Sequence, residues 1–259
     1  MRLFDTHCHI DDPRFDADRE ALHERMCSHG VTRYAVIGTE LESSRSAMDY
    51  AAAHEGAIAA IGFYPGDSDA CRGPEDLAQL AEWAREPVVR AIGEIGLDYH
   101  WPDNPSREKQ QEVCAAQIEL AWELCLPCAF HVRDAHPDML TLLKAHRDHL
   151  HPGIMHCFSG SWETAQEYLR LGQYISFAGP VTFRNARQLQ EVAVRCPADR
   201  ILIETDSPYM APEPVRGTRN EPTNVRFVCE RIAALRGEDP EAMAEITWAN
   251  ACRVYGIVP

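Results

Sequence analysis

Two histidines near the start of the chain have a spacing that could bind a metal ion. The segment reads Asp5-Thr6-His7-Cys8-His9. In an extended strand, residues i and i+2 point to the same side, so His7 and His9 can reach one ion while Cys8 points away. Taken alone, the pair is equally compatible with two exposed or packed histidines.

Four further residues with metal-binding side chains lie at or just after the ends of other predicted strands: Glu94, His131, His156 and Asp206. Each has a structural explanation of its own, because an acidic residue can cap a helix and a histidine can pack in a core. Six such residues at strand ends are less easily explained that way, and we interpret all six as metal ligands. Six ligands exceed the four of a structural zinc site, so they predict two ions that share a bridging carboxylate.

The elements that must position these residues are repeated strand–helix units. Short segments rich in Val, Ile and Leu alternate with longer amphipathic segments. Strands are predicted at 3–7, 34–38, 58–63, 88–92, 127–131, 153–156, 174–177 and 201–204, and the clearest helices at 107–124, 161–171, 185–195, 220–236 and 241–249. This pattern predicts an α/β fold in which 1–259 form a single (β/α)8 TIM barrel with extra C-terminal helices. An open doubly wound sheet is the alternative.

Composition limits the function. The 259 residues are 45% hydrophobic and 25% charged, as in a soluble globular protein. A net charge of −15 excludes the broad basic surface of a sequence-reading DNA-binding module, although bound cations can reverse the sign inside one cleft. Without a membrane-length apolar run or a secretory signal, we expect a cytoplasmic protein with no membrane association.

Motifs of several other enzyme classes are missing from the sequence. The chain has no Gly-x-Ser-x-Gly element, no phosphate loop that ends in Gly-Lys-Ser/Thr, and no Gly-x-Gly-x-x-Gly after the first strand. Nucleophilic-serine, NTPase and dinucleotide-binding functions therefore lose support.

Longer motifs resemble the TatD family of metal-dependent deoxyribonucleases, within the amidohydrolase-like barrels. They cover nearly the whole chain and read DTHCH at 5–9, GEIGLDY at 93–99, HVRDA at 131–135, HCFSG at 156–160, GPVTF at 179–183, ETDSPY at 204–209 and RGTRNEP at 216–222. The resemblance implies that one ion is held by His7, His9, Glu94 and Asp206 and the second by Glu94, His131 and His156. It also implies hydrolysis of DNA, a substrate that comes from the family alone.

One segment departs from the family pattern. Where the family usually reads Gly-x-His-Pro-His, this chain reads Gly62-Phe63-Tyr64-Pro65-Gly66. We expect the Tyr64 hydroxyl to replace one imidazole as a hydrogen-bond donor to phosphate. A tyrosine packed under the rim of the barrel is the alternative.

The expected reaction is in-line hydrolysis by a water that two divalent cations activate. Asp206 and Glu94 are the expected catalytic residues, and Asp206 would orient the water and take its proton. The imidazoles favour Zn²⁺ or Mn²⁺, while family usage keeps Mg²⁺ as a third candidate.

Substrate contacts are expected from three arginines. Arg133 follows His131 by two residues and could bind a phosphate oxygen, whereas Arg216 and Arg219 lie in a loop that could close over the substrate or simply be exposed. Aromatic residues beside the ligand motifs, Tyr99, Trp101 and Phe158, could stack on an unpaired base. We therefore expect exonuclease-like action on single-stranded DNA or frayed ends, without an obligate protein partner.

Two other functions are compatible with the same residues. A binuclear amidohydrolase-type enzyme would use the same barrel on small amides, esters or phosphoesters. A non-enzymatic protein would instead hold metal in a closed structural site.

Overall fold

The computed structural model describes residues 1–258, which contain eight parallel strands. Neighbours in the sheet follow chain order from β1 to β8. The strands are β1 Leu3–Cys8, β2 Val31–Ile37, β3 Ala57–Ile61, β4 Val89–Asp98, β5 Cys128–Arg133, β6 Ile154–Met155, β7 Tyr174–Phe177 and β8 Ile201–Ile203.

Eight helices follow the eight strands, and a ninth is added at the C-terminal end. The helices are α1 Arg19–Ser28, α2 Leu41–Ala53, α3 Pro74–Trp83, α4 Arg107–Glu123, α5 His136–Ala145, α6 Trp162–Arg170, α7 Arg187–Arg195, α8 Val225–Arg236 and α9 Pro240–Val254. The predicted α/β barrel is confirmed.

Contacts between the first and last strands close the sheet. Cys8 forms a parallel bridge with Ser207. The backbone N–H of His9 donates to the carbonyl of Ser207 at 2.8 Å, and the Thr6 hydroxyl donates to the carbonyl of Ile203 at 3.0 Å. The open-sheet alternative is therefore wrong, because β1 has a partner on both sides.

The largest difference from the predicted strands is in β4, which runs to Asp98 instead of ending at residue 92. Glycines interrupt the apolar pattern there, and glycine in a strand often marks a close backbone approach. A Cβ atom at Gly96 would lie 2.0 Å from the carbonyl oxygen of His131, and one at Gly93 would lie 2.6 Å from the Ala129 Cβ. The missing side chains let β4 continue along β5, so Glu94 lies within a strand rather than after one.

Alternate residues of the strands contribute to two separate apolar cores. Ala35 and Ile37 of β2 pack in the barrel interior, whereas Val36 between them packs in the layer between sheet and helices. Trp248 of α9 and Tyr255 just after it join the interior group.

Tyr255 fills the end of the barrel opposite the predicted ligands. Its ring stacks on Phe4 with centroids 5.6 Å apart, and its hydroxyl donates to the carbonyl of Thr6 at 2.8 Å. The residue is buried, so α9 seals this end of the interior. Across residues 1–258, every helix is too short or too polar to cross a bilayer.

Two substitutions of Tyr255 distinguish the stability that comes from its hydrogen bond from the stability that comes from the packing of its ring. We expect Tyr255→Phe to lower the free energy of unfolding by about 1 kcal/mol, because one buried hydrogen bond is lost. We expect Tyr255→Ala to cost about 3–5 kcal/mol, because it also leaves a cavity. Urea denaturation followed by circular dichroism measures both. Equal losses for the two variants would contradict this role of the ring.

Candidate metal centre

All six predicted ligands come together at the C-terminal ends of the strands. They reach this point from separate parts of the barrel: His7 in β1, His9 directly after it, Glu94 in β4, His131 in β5, His156 after β6 and Asp206 after β8. Active sites of barrel enzymes lie at this end.

Glu94 lies at the centre of the group, and its two carboxylate oxygens face different histidines. Oε2 lies 3.4 Å from Nε2 of His7 and 3.9 Å from Nε2 of His9. Oε1 lies 2.8 Å from Nδ1 of His131 and 2.9 Å from Nε2 of His156. Each oxygen of the carboxylate therefore faces its own pair of imidazole nitrogens, although the rings of His7 and His156 also stack on each other at 3.8 Å.

Asp206 completes the group on the Oε2 side. Its Oδ1 atom lies 3.8 Å from Nε2 of His7 and 3.6 Å from Nε2 of His9. The residue has a φ of +56°, in the left-handed region that non-glycine residues rarely occupy. Its N–H donates to the carbonyl of His7 at 2.9 Å, so the contact that closes the barrel also places this carboxylate.

His7 supplies a test of whether the site fits metal ions. Its imidazole is buried, and neither ring nitrogen has a hydrogen-bond partner among the described residues. Buried polar atoms are rarely left without a partner. Burial also lowers the pKa of His7, which favours the neutral imidazole that a metal requires. Candidate ligand atoms lie within 4.8 Å of one another in three overlapping groups, so the donor set fits divalent cations.

Glu94 is also suited to a ligand role by its charge. Burial alone would raise the pKa of this carboxyl, but the charge of the His156 imidazole and a hydrogen bond from His131 hold that pKa well below its usual range. Glu94 is therefore ionised, as a carboxylate ligand must be.

A second layer of acceptors orients the imidazoles. Nε2 of His131 lies 3.1 Å from Oδ2 of Asp98, and Nδ1 of His156 lies 3.2 Å from Oε1 of Glu204. Such partners select the ring nitrogen that stays free to bind metal. Burial would raise the pKa of Asp98, but hydrogen bonds from His131 and Tyr64 lower it to about 2.

Asp98 and Glu204 lie within the GEIGLDY and ETDSPY motifs, but neither was predicted to have a role. A usable signal was present for Asp98, since it follows Glu94 by four residues within β4. Residues at even spacings in a strand share a face. Glu204 also accepts hydrogen bonds from the Ser176 hydroxyl at 2.5 Å and from the Cys157 N–H at 2.6 Å.

The predicted substrate contacts divide into those at the cavity and those away from it. Arg133 and Tyr64 line the cavity of about 700 Å³ above the ligands. Arg216 instead lies over the ring of Phe183 at 4.1 Å, and Arg219 forms an ion pair with Asp18 at 2.8 Å. Neither of these two loop arginines is among the residues that line the cavity, so the structure does not bring them to the ligands.

The aromatic residues are also separated by the structure. The Tyr99 hydroxyl donates to Asp138 at 3.0 Å, and Phe158 is buried in the core. Trp101 is 55% exposed and lines the cavity, where the guanidinium of Arg133 lies 5.3 Å from its ring. Trp101 is therefore the residue of the three that a base could reach at the cavity.

The charge of the cavity wall is uneven. The segments after β1, β2 and β3, including the first turn of α2, contribute carboxylates, among them Asp11, Glu40, Glu42 and Asp67. The other side, after β4 and at the end of β5, contributes Trp101 and Arg133. An anionic chain would be repelled from the first side and attracted to the second.

Comparisons with known proteins agree on one family. A family model described as "TatD related DNase" matches residues 4–256. The chain is 44% identical to an uncharacterised metal-dependent hydrolase named YabD from Bacillus subtilis, covering 98% of this chain and 99% of that protein. It is 36% identical to a protein named 3'-5' ssDNA/RNA exonuclease TatD from Cronobacter sakazakii, covering 98% and 97%. The crystal structure of YjjV, a TatD homologue from Escherichia coli K12, has a TM-score of 0.92 at 32% identity and covers 100% of this chain and 99% of that one.

Replacement of Glu204 tests the second layer. In Glu204→Gln one terminal oxygen becomes a donor, so the side chain can no longer accept from His156, Ser176 and Cys157 together. We expect the metal affinity of the apoprotein to fall roughly 10- to 100-fold, measured by competition with a fluorescent chelator. The exposed Glu123→Gln variant is the control. An unchanged affinity for Zn²⁺ and Mn²⁺ would show that Glu204 does not support the centre.

Proposed function

The chain belongs to the TatD related DNase family of metal-dependent hydrolases, and from that membership we propose that it cleaves phosphodiester bonds at the ends of single-stranded DNA with two divalent cations. Relatives named as exonucleases on single-stranded DNA and RNA support this substrate class. The position of Glu94, with one oxygen toward each group of histidines, is the observation on which the proposal depends.

The donor atoms support the following assignment. His7, His9 and Asp206 would hold one ion, His131 and His156 the other, and Glu94 both. Four imidazoles favour Zn²⁺ or Mn²⁺, with Mg²⁺ as a weaker alternative. We further propose that residues 1–259 act as one domain, because ligands from β1 and from the segment after β8 belong to one site.

Bound divalent cations would lower the pKa of a water molecule and offset negative charge on the phosphoryl oxygens. Asp206 borders the cavity and is only partly buried, so it can orient the attacking water and accept its proton. Arg133 would donate to a phosphate oxygen, and Trp101 would stack on the adjoining base.

The uneven wall of the cavity supports action at chain ends. A DNA strand that continued past the six predicted ligands in both directions would have to bring phosphates close to the carboxylates that follow β1, β2 and β3. A DNA strand whose end lies at these ligands would contact only the side of the cavity with Arg133 and Trp101. The cavity therefore favours exonuclease-like cleavage, with few phosphate contacts.

Metal removal and loss of the shared carboxylate test the proposed reaction. We expect chelator-treated protein to lose cleavage of a 3'-labelled single-stranded oligonucleotide and to regain it with Mn²⁺ or Zn²⁺. Glu94→Gln should reduce kcat/KM at least about a thousandfold, because it removes the anion that both ions would share. The exposed Glu86→Gln variant should retain wild-type activity.

The same assay can reject the proposal. Cleavage that persists in Glu94→Gln would remove the two-ion mechanism. Hydrolysis of small amides or esters by the reconstituted protein, with no cleavage of DNA or RNA, would support the amidohydrolase alternative instead.

Arg133 tests the substrate side of the cavity. We expect Arg133→Gln to raise KM for an oligonucleotide about tenfold with little change in kcat, because one charged hydrogen bond to phosphate is lost. The wild-type KM should rise only shallowly with salt, as few phosphates are bound. Arg195→Gln, on the surface of α7, serves as the control. An equal loss in both variants, or a steep salt dependence, would contradict the proposed contact.

A further inference from the structure

Tyr64 is held beside the ligand group rather than free in the cavity. It follows β3, and its backbone N–H donates to the carbonyl of Thr39 at 2.8 Å. Its hydroxyl donates to Oδ2 of Asp98 at 2.7 Å. Its ring meets the imidazole of His131 edge-on, with centroids 4.9 Å apart. The side chain therefore contacts both a ligand and the carboxylate that supports this ligand.

The hydroxyl of Tyr64 has a single hydrogen atom, which this geometry directs to Asp98. The expected donation to a phosphate would require that bond to break. The same Oδ2 atom of Asp98 lies 3.1 Å from Nε2 of His131, and the other carboxylate oxygen accepts from the N–H of His100 at 2.9 Å. With Nε2–H donating to Asp98, Nδ1 is the nitrogen of His131 that would bind an ion beside Glu94.

Gly66 is what makes room for the Tyr64 ring. A Cβ atom at position 66 would lie 2.6 Å from Cε1 and 3.0 Å from Cδ1 of Tyr64. Gly66 is not among the residues with positive φ, so the glycine is required for space and not for backbone conformation. The two departures from the family pattern at 64 and 66 are therefore sterically linked.

We propose that Tyr64 is a positioning residue that orients Asp98, and through it His131, and that Gly66 is the replacement that permits a tyrosine there. The first half rests on the proposed metal centre. The second half depends on packing alone and can be tested without any metal.

The affinity for metal ions and the Nε2–H hydrogen bond of His131 test whether Tyr64 positions Asp98 and His131. We expect apo Tyr64→Phe, titrated calorimetrically with Zn²⁺ or Mn²⁺, to bind one of two ions about tenfold more weakly and the other unchanged. With Zn²⁺ bound, the Nε2–H proton of His131 should resonate downfield in the wild type, because it donates to Asp98, and it should shift upfield in Tyr64→Phe as that hydrogen bond weakens. Tyr50→Phe, which removes a buried hydroxyl that has no hydrogen-bond partner among the described residues, should change neither measurement.

Two results would overturn this half in different ways. If wild-type protein binds two ions and Tyr64→Phe has the same affinities and the same Nε2–H proton shift of His131, Tyr64 does not position His131. If wild-type protein binds no second ion, the proposed centre itself is wrong, whatever Tyr64 does.

A double-mutant cycle tests the second half through thermal unfolding of the apoprotein. Gly66→Ala should lower the melting temperature by several degrees when Tyr64 is present, because the new methyl group collides with the ring. In a Tyr64→Ala background the same substitution should have little effect, because the ring is gone. Equal shifts in the two backgrounds would show that positions 64 and 66 are independent.

Discussion

Glu94 presents one buried carboxylate to two groups of imidazoles, and the rest of the site is arranged around this shared anion. A buried charge is costly unless it is paired, and here nitrogen atoms face both oxygens. The arrangement requires β4 to run beyond Ile92 along β5. Gly93 and Gly96 permit this close approach, so residues without side chains determine where the central carboxylate lies.

Buried acidic residues accept hydrogen bonds around the site and place negative charge next to the imidazoles. Asp98 and Glu204 accept hydrogen bonds from His131 and His156, respectively. Asp5 accepts from the backbone N–H and the hydroxyl of Thr205, and burial raises its pKa to about 8. This last contact joins β1 to the end of β8, both of which lead into ligands. The carboxylates of Asp98 and Glu204 therefore lie where bound cations would offset their charge.

The two ends of the barrel differ in polarity and in exposure to solvent. At one end, α9 and Tyr255 seal an apolar interior, and the interactions there concern stability. At the other end, polar side chains surround an open cavity whose wall is acidic on one side and carries Arg133 and Trp101 on the other. The net charge of −15 therefore says little about the local field that a substrate would meet, because individual loops set that field.

The sequence by itself determined the repeated strand–helix units and the six metal-type side chains near strand ends, because periodicity and strand ends are local properties. Closure of the barrel was decided by the contacts between β1 and the segment after β8, which are long-range. Spacing in one chain could not show that Glu94 lies inside a strand, since glycines hide the strand pattern. Nor could it show that Tyr64 donates to Asp98 or that Gly66 leaves room for the Tyr64 ring. The ion pair of Arg219 with Asp18 was equally hidden. Those facts depend on which side chains meet across the barrel, and only tertiary packing decides such distances.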